Sequence, residues 1–392
     1  MRILFARNLY RPIDLGGNRY PYEVTKRLAA RGHEVLVITG GFRGNSDGPA
    51  PRVLQYPVSR AHPALTFSSN AIFGGAATTF QASRFHPDVV ITSSYDLAYG
   101  YSLAGRRNEI PSVFIYHSAF YSDWTRRLAG RNGVAGWFGR RAAAFARHVE
   151  RRVLRESNRV VAVSPFSLRE ISTSLGGGLN ARCRLVPTGV ETQVFSPGSR
   201  GEARATLGLH TDATVLATVG RLAPVKRYDR AIAATARLIQ EGLAATLLVI
   251  GDGPERSRLE RLANELGINE AVRFEGHCDG GELVTRLRAA DLQLCTSEFE
   301  NWSLALLEGM ACGLPVVGTP FGGTAEMLGA VDPVLVLEDG EVNSIVERLN
   351  SLFADRPRLR DLGIRSRQYA ESFDWGVVVE RLERVLTEAI ET

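Results

Sequence analysis

Lysine is nearly absent from this 392-residue chain: Lys26 and Lys226 stand against 45 arginines, so the formal net charge of +5 rests almost wholly on guanidinium groups. The densest basic part is residues 126–155, with nine Arg and one Glu. A solvated helix face is the commonest reason for such a run, and an anionic membrane surface or a phosphorylated partner are the functional readings; nothing in it points to nucleic acid. There is no uninterrupted apolar run of 18 residues, which excludes an ordinary membrane-crossing helix. The first apolar run, Ile3–Ala6, is broken by Arg7, too early for a signal peptide. The expectation is a soluble cytoplasmic protein, with peripheral contact on the inner membrane face as a further reading of the basic run. Cysteine is scarce, and Cys183, Cys278, Cys295 and Cys312 show neither metal nor redox spacing, so reduced and mostly buried thiols are expected and no zinc site.

What is present is a repeated strand–helix alternation, long enough for two domains. Arg2–Ala6 reads as a buried strand, 8–17 as a loop, Tyr20–Arg31 as an amphipathic helix stopped at Gly32, and Glu34–Thr39 as the next strand. A βαβ unit implies a parallel sheet with ligands beyond the carboxyl ends of its strands. Gly16 and Gly17 let backbone approach an anion at the helix start, although a tight turn explains a glycine pair equally well. Further strands are expected at Asp88–Thr92, Ser112–Tyr116 and Arg159–Val163, and His117 directly follows the second of these, at the ligand edge. Residues 57–85 show no clear period and read as loop and helix. Pro187, Gly189, Pro197 and Gly198 mark a boundary, giving domains 1–190 and 191–371.

The second half is organised around Thr296–Gly313. A strand, Leu292–Cys295, runs into a turn holding Glu300, and a helix opens near Ser303 with Leu304, Leu306, Leu307 and Met310 apolar and Glu308 eight residues beyond Glu300. The unpaired amides of Asn301 to Leu304 and the positive helix end behind them make a place for a phosphate. The bland alternative has Glu300 favouring the helix dipole and Glu308 on a solvated face. Upstream, the strand Thr214–Gly220 leads into Arg221 and Lys226, and Thr246–Ile250 leads into Gly251-Asp-Gly-Pro254. Arg221 and Lys226 follow one strand end, and two cations with several amides suffice to hold a diphosphate without metal. No Asp-x-Asp pair, the usual carboxylate arrangement for a divalent ion on a nucleotide sugar, occurs.

Taken in order, Gly16-Gly17, Gly32-His-Glu-Val35, His117, Pro187 to Val190 before Phe195 and Pro197, Gly220-Arg221 with Lys226, Gly251 to Pro254, and Glu300-x7-Glu308 before Met310-Ala-Cys-Gly-Leu-Pro315 resemble the retaining glycosyltransferases of family 4. The resemblance covers nearly the whole chain. It implies an α/β fold of two doubly wound, Rossmann-like lobes facing across a cleft, the GT-B architecture, with residues 372–392 crossing back to the first lobe. By it, Glu300 holds donor-sugar hydroxyls, Glu308 the ribose, Arg221 and Lys226 the diphosphate with help from amides near Ser303, Leu304 and Gly16, and His117 contacts the transferred sugar. Gly17 and Gly251 belong to the same donor set, and Phe274 and Gly276 at the end of Val272–Gly276 frame the base. Thr188 and Glu191 depart from the frequent Asn and Asp at the domain junction, and Asn301-Trp302-Ser303 replaces a frequent Pro-Phe-Gly, setting bulk and a hydroxyl beside the donor sugar. The implied reaction is metal-independent, retaining transfer from a nucleotide sugar, a UDP-sugar favoured over GDP- or ADP-sugar, to a carbohydrate or lipid-linked hydroxyl. No resident cofactor is implied. Asn18, Arg19, His117 and residues 57–85 remain to line the acceptor side. A nucleotide-sugar 2-epimerase or a glycan phosphorylase of the same architecture, the latter disfavoured by the shortage of lysines for a pyridoxal group, and a non-catalytic nucleotide-sugar or polyanion binder are the competing readings.

Overall fold

The computed structural model describes residues 1–10, 19–41, 51–59, 63–104, 110–119, 134–175 and 181–392. They form two compact units, Met1–Thr188 with Trp375–Thr392, and Gly189–Asp374, where the sequence places the divisions at 190/191 and 371/372.

The first unit holds seven strands, β1 (Arg2–Arg7), β2 (Glu34–Thr39), β3 (Arg52–Gln55), β4 (Val89–Thr92), β5 (Ser112–Tyr116), β6 (Arg159–Ala162) and β7 (Cys183–Leu185), all parallel, in the order β3-β2-β1-β4-β5-β6-β7. Ile3 to Ala6 are fully buried, because a parallel sheet is covered by helices on both faces. β3 was not anticipated: its side chains are half-buried or exposed at the sheet edge, so no apolar run announces it. Residues 57–85 are loop and helix, as expected, with the helix taking the larger part. Pro63–Phe85 is one helical run, interrupted by a π-helical turn at Asn70–Gly74. Its small residues blur the apolar period because they serve close approach: a Cβ on Gly100, in the helix Tyr95–Leu103, would stand 1.8 Å from the Ala71 carbonyl oxygen. The run leaves Leu65, Ile72, Phe73 and Phe80 exposed.

The last helix, Trp375–Ile390, belongs to this first unit. Trp375 is buried, its ring 5.8 Å from that of Tyr20 with the Arg27 guanidinium 5.5 Å away, and Glu383 meets Arg31 at 2.8 Å and His33 at 2.7 Å. Of the basic stretch, 126–133 lies outside the described residues; in the helix Val134–Glu156 the side chains of Arg141, Phe145, Arg147, His148, Arg151 and Arg155 are exposed.

The second unit carries β8 (Thr214–Val219), β9 (Ala245–Ile250), β10 (Val272–Gly276), β11 (Leu292–Cys295) and β12 (Val316–Gly318), parallel and ordered β10-β9-β8-β11-β12. Its core takes the inward faces of all five strands together with Leu306, Leu307 and Met310 of the helix Leu304–Ala311. The four cysteines are free, Cys278, Cys295 and Cys312 buried and Cys183 half-buried. Among the described residues no helix is long and apolar enough to cross a membrane.

Candidate functional site

In each sheet the strand order reverses direction once, between β1 and β4 in the first unit and between β8 and β11 in the second. Chains leaving neighbouring strands there turn to opposite faces, opening a crevice at the carboxyl edge where doubly wound sheets bind ligands. Arg221 and Lys226 follow β8, and Glu300 follows β11. The second-unit switch point therefore collects three of the charged residues singled out from the sequence.

Lys226 Nζ makes an ion pair and hydrogen bond with Glu300 Oε1, both side chains mostly buried. Ser297 Oγ donates to the same oxygen at 2.9 Å, while Glu300 Oε2 takes no partner among the described residues. The loops are tied beneath the pair: Thr296 Oγ1 donates to the Lys226 carbonyl at 2.9 Å and the Glu298 amide to the Val225 carbonyl at 2.8 Å. Burial disfavours the Lys226 charge, but the charge and hydrogen bond of Glu300 outweigh it and the pKa is raised, so the ammonium is held charged. Arg221 is exposed and forms no ion pair among the described residues. Tyr228, which the sequence did not single out, puts a buried hydroxyl without a hydrogen-bond partner among the described residues beside this pair. A Cβ on Gly220 would lie 3.0 Å from that hydroxyl and 3.7 Å from Lys226 Nζ.

Ser303 precedes the helix Leu304–Ala311 in extended conformation, and its side chain makes no cap. The first helical amides thus remain available as donors at the positive helix end. Glu308 is 7% exposed in the middle of this helix, which removes the solvated-face reading. Trp302 is half-buried with its ring 5.3 Å from Phe373, so part of the bulk expected beside the donor sugar goes into the core. The Glu300 turn is clamped from behind by the Gly323 amide, 2.7 Å from the Glu300 carbonyl, with Gly323 so close that a Cβ would fall 1.7 Å from the Asn301 carbonyl. Gly251, at φ 140°, donates its amide to the Gly276 carbonyl at 2.7 Å and crowds Gly220, where a Cβ would meet the carbonyl oxygen at 2.0 Å. The ends of β8, β9 and β10 are thereby joined, with Phe274 half-buried alongside.

At the first-unit switch point, Arg7 Nη1 donates to the Ser93 carbonyl at 2.7 Å and to Ser93 Oγ at 3.2 Å. Asp96 is buried and accepts from Asn70 at 2.7 Å and Asn8 at 3.2 Å, and Tyr56 donates to Asn70 at 2.8 Å. Burial raises the Asp96 pKa against these hydrogen bonds, and burial lowers that of Arg7 to about 10 against the pull of Asp96. His117 follows β5 with the Tyr20 ring edge-on at 5.3 Å. Burial, then the charge of Arg7, lowers its pKa to about 3, so it is a neutral imidazole at physiological pH. Arg19 is bound within its own helix to Glu23 at 3.3 Å.

Residues 16–194 match the family model described as Glycosyltransferase Family 4, and residues 199–369 match Glycosyl transferases group 1. The D-inositol 3-phosphate glycosyltransferase of Mycobacterium tuberculosis is 31% identical over 92% of this chain and 76% of that protein. The chain belongs to glycosyltransferase family 4. Matches to other proteins of the same description take in only 53% to 60% of their length. Sucrose-phosphate synthase from Thermosynechococcus elongatus shares the fold at a TM-score of 0.84, with 21% identity over 100% of this chain and 99% of that one. Anabaena HepE in complex with UDP does so at 0.77, with 19% identity over 99% of this chain and 100% of that one. The fold is that of the GT-B glycosyltransferases, two parallel sheets each clothed in helices.

Within this family 4 glycosyltransferase, Lys226, Glu300, Ser303, Leu304 and Glu308 come together around β11, and Gly251, Phe274 and Gly276 around the neighbouring strand ends. His117 and Arg19 sit in the other unit; Gly16, Gly17 and Asn18 lie outside the described residues. Ser297 and Tyr228 in the second unit, and Arg7, Asn8, Asn70 and Asp96 in the first, are the polar residues that sequence reasoning missed. Their only signal is position, each within a few residues of a strand's carboxyl end or aimed at one. Among the described residues no group of His, Cys, Asp and Glu is placed to hold a metal ion.

Proposed function

We propose that this glycosyltransferase moves a sugar from a UDP-sugar to a hydroxyl acceptor, with retention of anomeric configuration and without a metal ion. The observation that carries the reading is the set of Lys226, Glu300 and Arg221 at the β8/β11 switch point, Arg221 forming no ion pair among the described residues. Arg221 and Lys226, with the uncapped amides after Ser303, meet the diphosphate. Glu300 uses Oε1 to hold Lys226 and keeps Oε2 for sugar hydroxyls. In an oxocarbenium-like transition state negative charge grows on the departing phosphate, so fixed cations and amides there stabilise it more than the ground state. Glu300 is occupied with Lys226 and is no free nucleophile, which favours attack from the leaving-group face with the phosphate taking the acceptor's proton. UDP is supported by the HepE complex and a phosphorylated polyol acceptor by the relatives' names.

The test is a transfer assay with UDP-hexoses and UDP-N-acetylhexosamines against inositol 3-phosphate, free inositol and simple sugars, in excess chelator, with the product anomer read by NMR. An axial-to-axial product formed in chelator is expected from an axial donor. Turnover that needs added manganese or magnesium, an inverted product, or release of UDP only by hydrolysis would overturn the respective part of the reading.

A further inference from the structure

Asp291 directly precedes β11 and Pro315 directly precedes β12, so the cavity they border opens at the amino ends of the second sheet, opposite to Lys226 and Glu300. Its volume is about 800 Å³, within the range of small-molecule sites. Leu314, Leu359 and Ile364 give it apolar walls.

The charge around it does not balance. Asp291 is 4% exposed, and its Oδ2 already takes the buried Arg204 at 2.7 Å and the Val215 amide at 2.8 Å. One guanidinium neutralises one carboxylate. Yet Arg200 reaches Oδ1 at 2.9 Å from the helix Arg200–Leu207, and Arg356 lies 3.8 Å from the same oxygen at the start of the helix Arg356–Glu371. Their side chains are 50% and 48% exposed on the cavity side. Arg360, one turn beyond Arg356 on the same helical face, is exposed and makes no ion pair among the described residues. The other two lining arginines are consumed structurally: Arg288 holds the Ser196 carbonyl at 2.8 Å, and Arg367 binds the carbonyls of Thr192, Phe195 and Ala311 while occupying Glu371. What remains is three guanidinium groups from two helices around an apolar hollow, two of them sharing one Asp291 oxygen and Arg356 also donating to Thr214 Oγ1 at 3.2 Å. Like charges so gathered repel unless an anion lies between them.

We propose that this cavity binds a small organic phosphate monoester, its dianion held by Arg200, Arg356 and Arg360 and its apolar body against Leu359 and Ile364. This is a second ligand site, separate from the one that handles the diphosphate. Phenyl phosphate is the probe, titrated calorimetrically into the full chain. An affinity at least about tenfold weaker in an Arg356→Gln, Arg360→Gln double variant is expected, with the Lys226→Ala variant binding as the unaltered chain does. Arg356→Gln gives up a hydrogen bond to Thr214 and a long contact with Asp291, and circular dichroism checks that the fold is kept; the single Arg360→Gln variant, whose side chain has no ion pair to lose among the described residues, gives the same comparison should the double variant unfold. Absence of binding to the unaltered chain, equal affinity in the arginine variants, or loss of binding in Lys226→Ala would each overturn the proposal.

Discussion

Lys226 and Glu300 are 74 positions apart, and their pairing gives each a task the other limits. The lysine must keep its charge while mostly buried, and Glu300 secures that. Since phosphate charge grows only as the glycosidic bond breaks, Lys226→Ala and Arg221→Ala are each expected to lower kcat more than they raise KM. For Lys226, a fall of about a hundredfold or more is the order seen when one preorganised donor is removed from a charge-stabilising site. Steady-state kinetics with a UDP-sugar checks this; an intact kcat in either variant would remove that residue from its role. His117 supports a different expectation. Its pKa in the folded chain, about 3, lies below the ordinary histidine value of 6.5, so between those values the unfolded chain holds a proton that the folded chain does not. Its contribution to stability is complete above pH 6.5 and is lost as pH falls toward 3, with a slope of at most about 1.4 kcal/mol per pH unit. His117→Gln should flatten this acid dependence in denaturation at pH 7.5 and 5; an unchanged slope would show that the imidazole titrates normally.

The turn between β11 and the helix Leu304–Ala311 is held in place by another element, the start of the helix Gly323–Gly329. Gly323→Ala puts a methyl group where the Asn301 carbonyl stands, and overpacking of this kind costs about 1–3 kcal/mol. The displaced segment is the Glu300 turn, so transfer activity is expected to fall at least about tenfold while the unit still melts cooperatively; full activity would mean the turn relaxes freely. The β11 segment was the most legible part of the chain, because Leu292–Cys295, Ser303 at the helix start and the apolar spacing of Leu304, Leu306, Leu307 and Met310 are local signals. The same holds for the parallel βαβ alternation, whose buried strands read as apolar runs. β3 was illegible because an edge strand needs no such run, and the bounds of the helical run Pro63–Phe85 because Ala71 and Gly75 lie against the Gly100 backbone and Gly74 against the Tyr56 ring, so small residues take the place of an apolar stripe. Asp96 could not be found from its neighbours, since its partners Asn8 and Asn70 are brought to it only by the switch point between β1 and β4. Glu308 showed the remaining limit: one glutamate in an apolar helix reads equally as buried or solvated until the packing around it is known.

At the scale of the molecule, arginine does the work that lysine usually shares, and among the described residues much of it is spent on internal ion pairs and carbonyl bonds. Arg141, Arg147, Arg151 and Arg155 stand exposed along one helix, Arg151 also donating to the Ser174 carbonyl at 3.0 Å, and Phe145 on the same helix makes an edge contact with Phe67 at 5.8 Å, in the run that also exposes Leu65, Ile72 and Phe73. Cations beside exposed apolar groups suit an anionic lipid surface. Flotation with phosphatidylglycerol vesicles, but not with neutral ones, is expected, weakening as salt rises past about 0.1 M; equal recovery with both would reject it. The rarity of lysine also reaches into practical chemistry. Acylating reagents attack only a neutral amine, and this polypeptide offers its α-amino group, Lys26 and Lys226. Lys26 is exposed, whereas Lys226 is shielded and kept protonated by Glu300. A succinimidyl ester at pH 8 should therefore modify Lys26 and spare Lys226 in peptide mass spectra, and Glu300→Gln should make Lys226 the newly labelled position. The ion pair thus supplies a covalent reporter of its own integrity, one that needs no knowledge of the sugar or the acceptor.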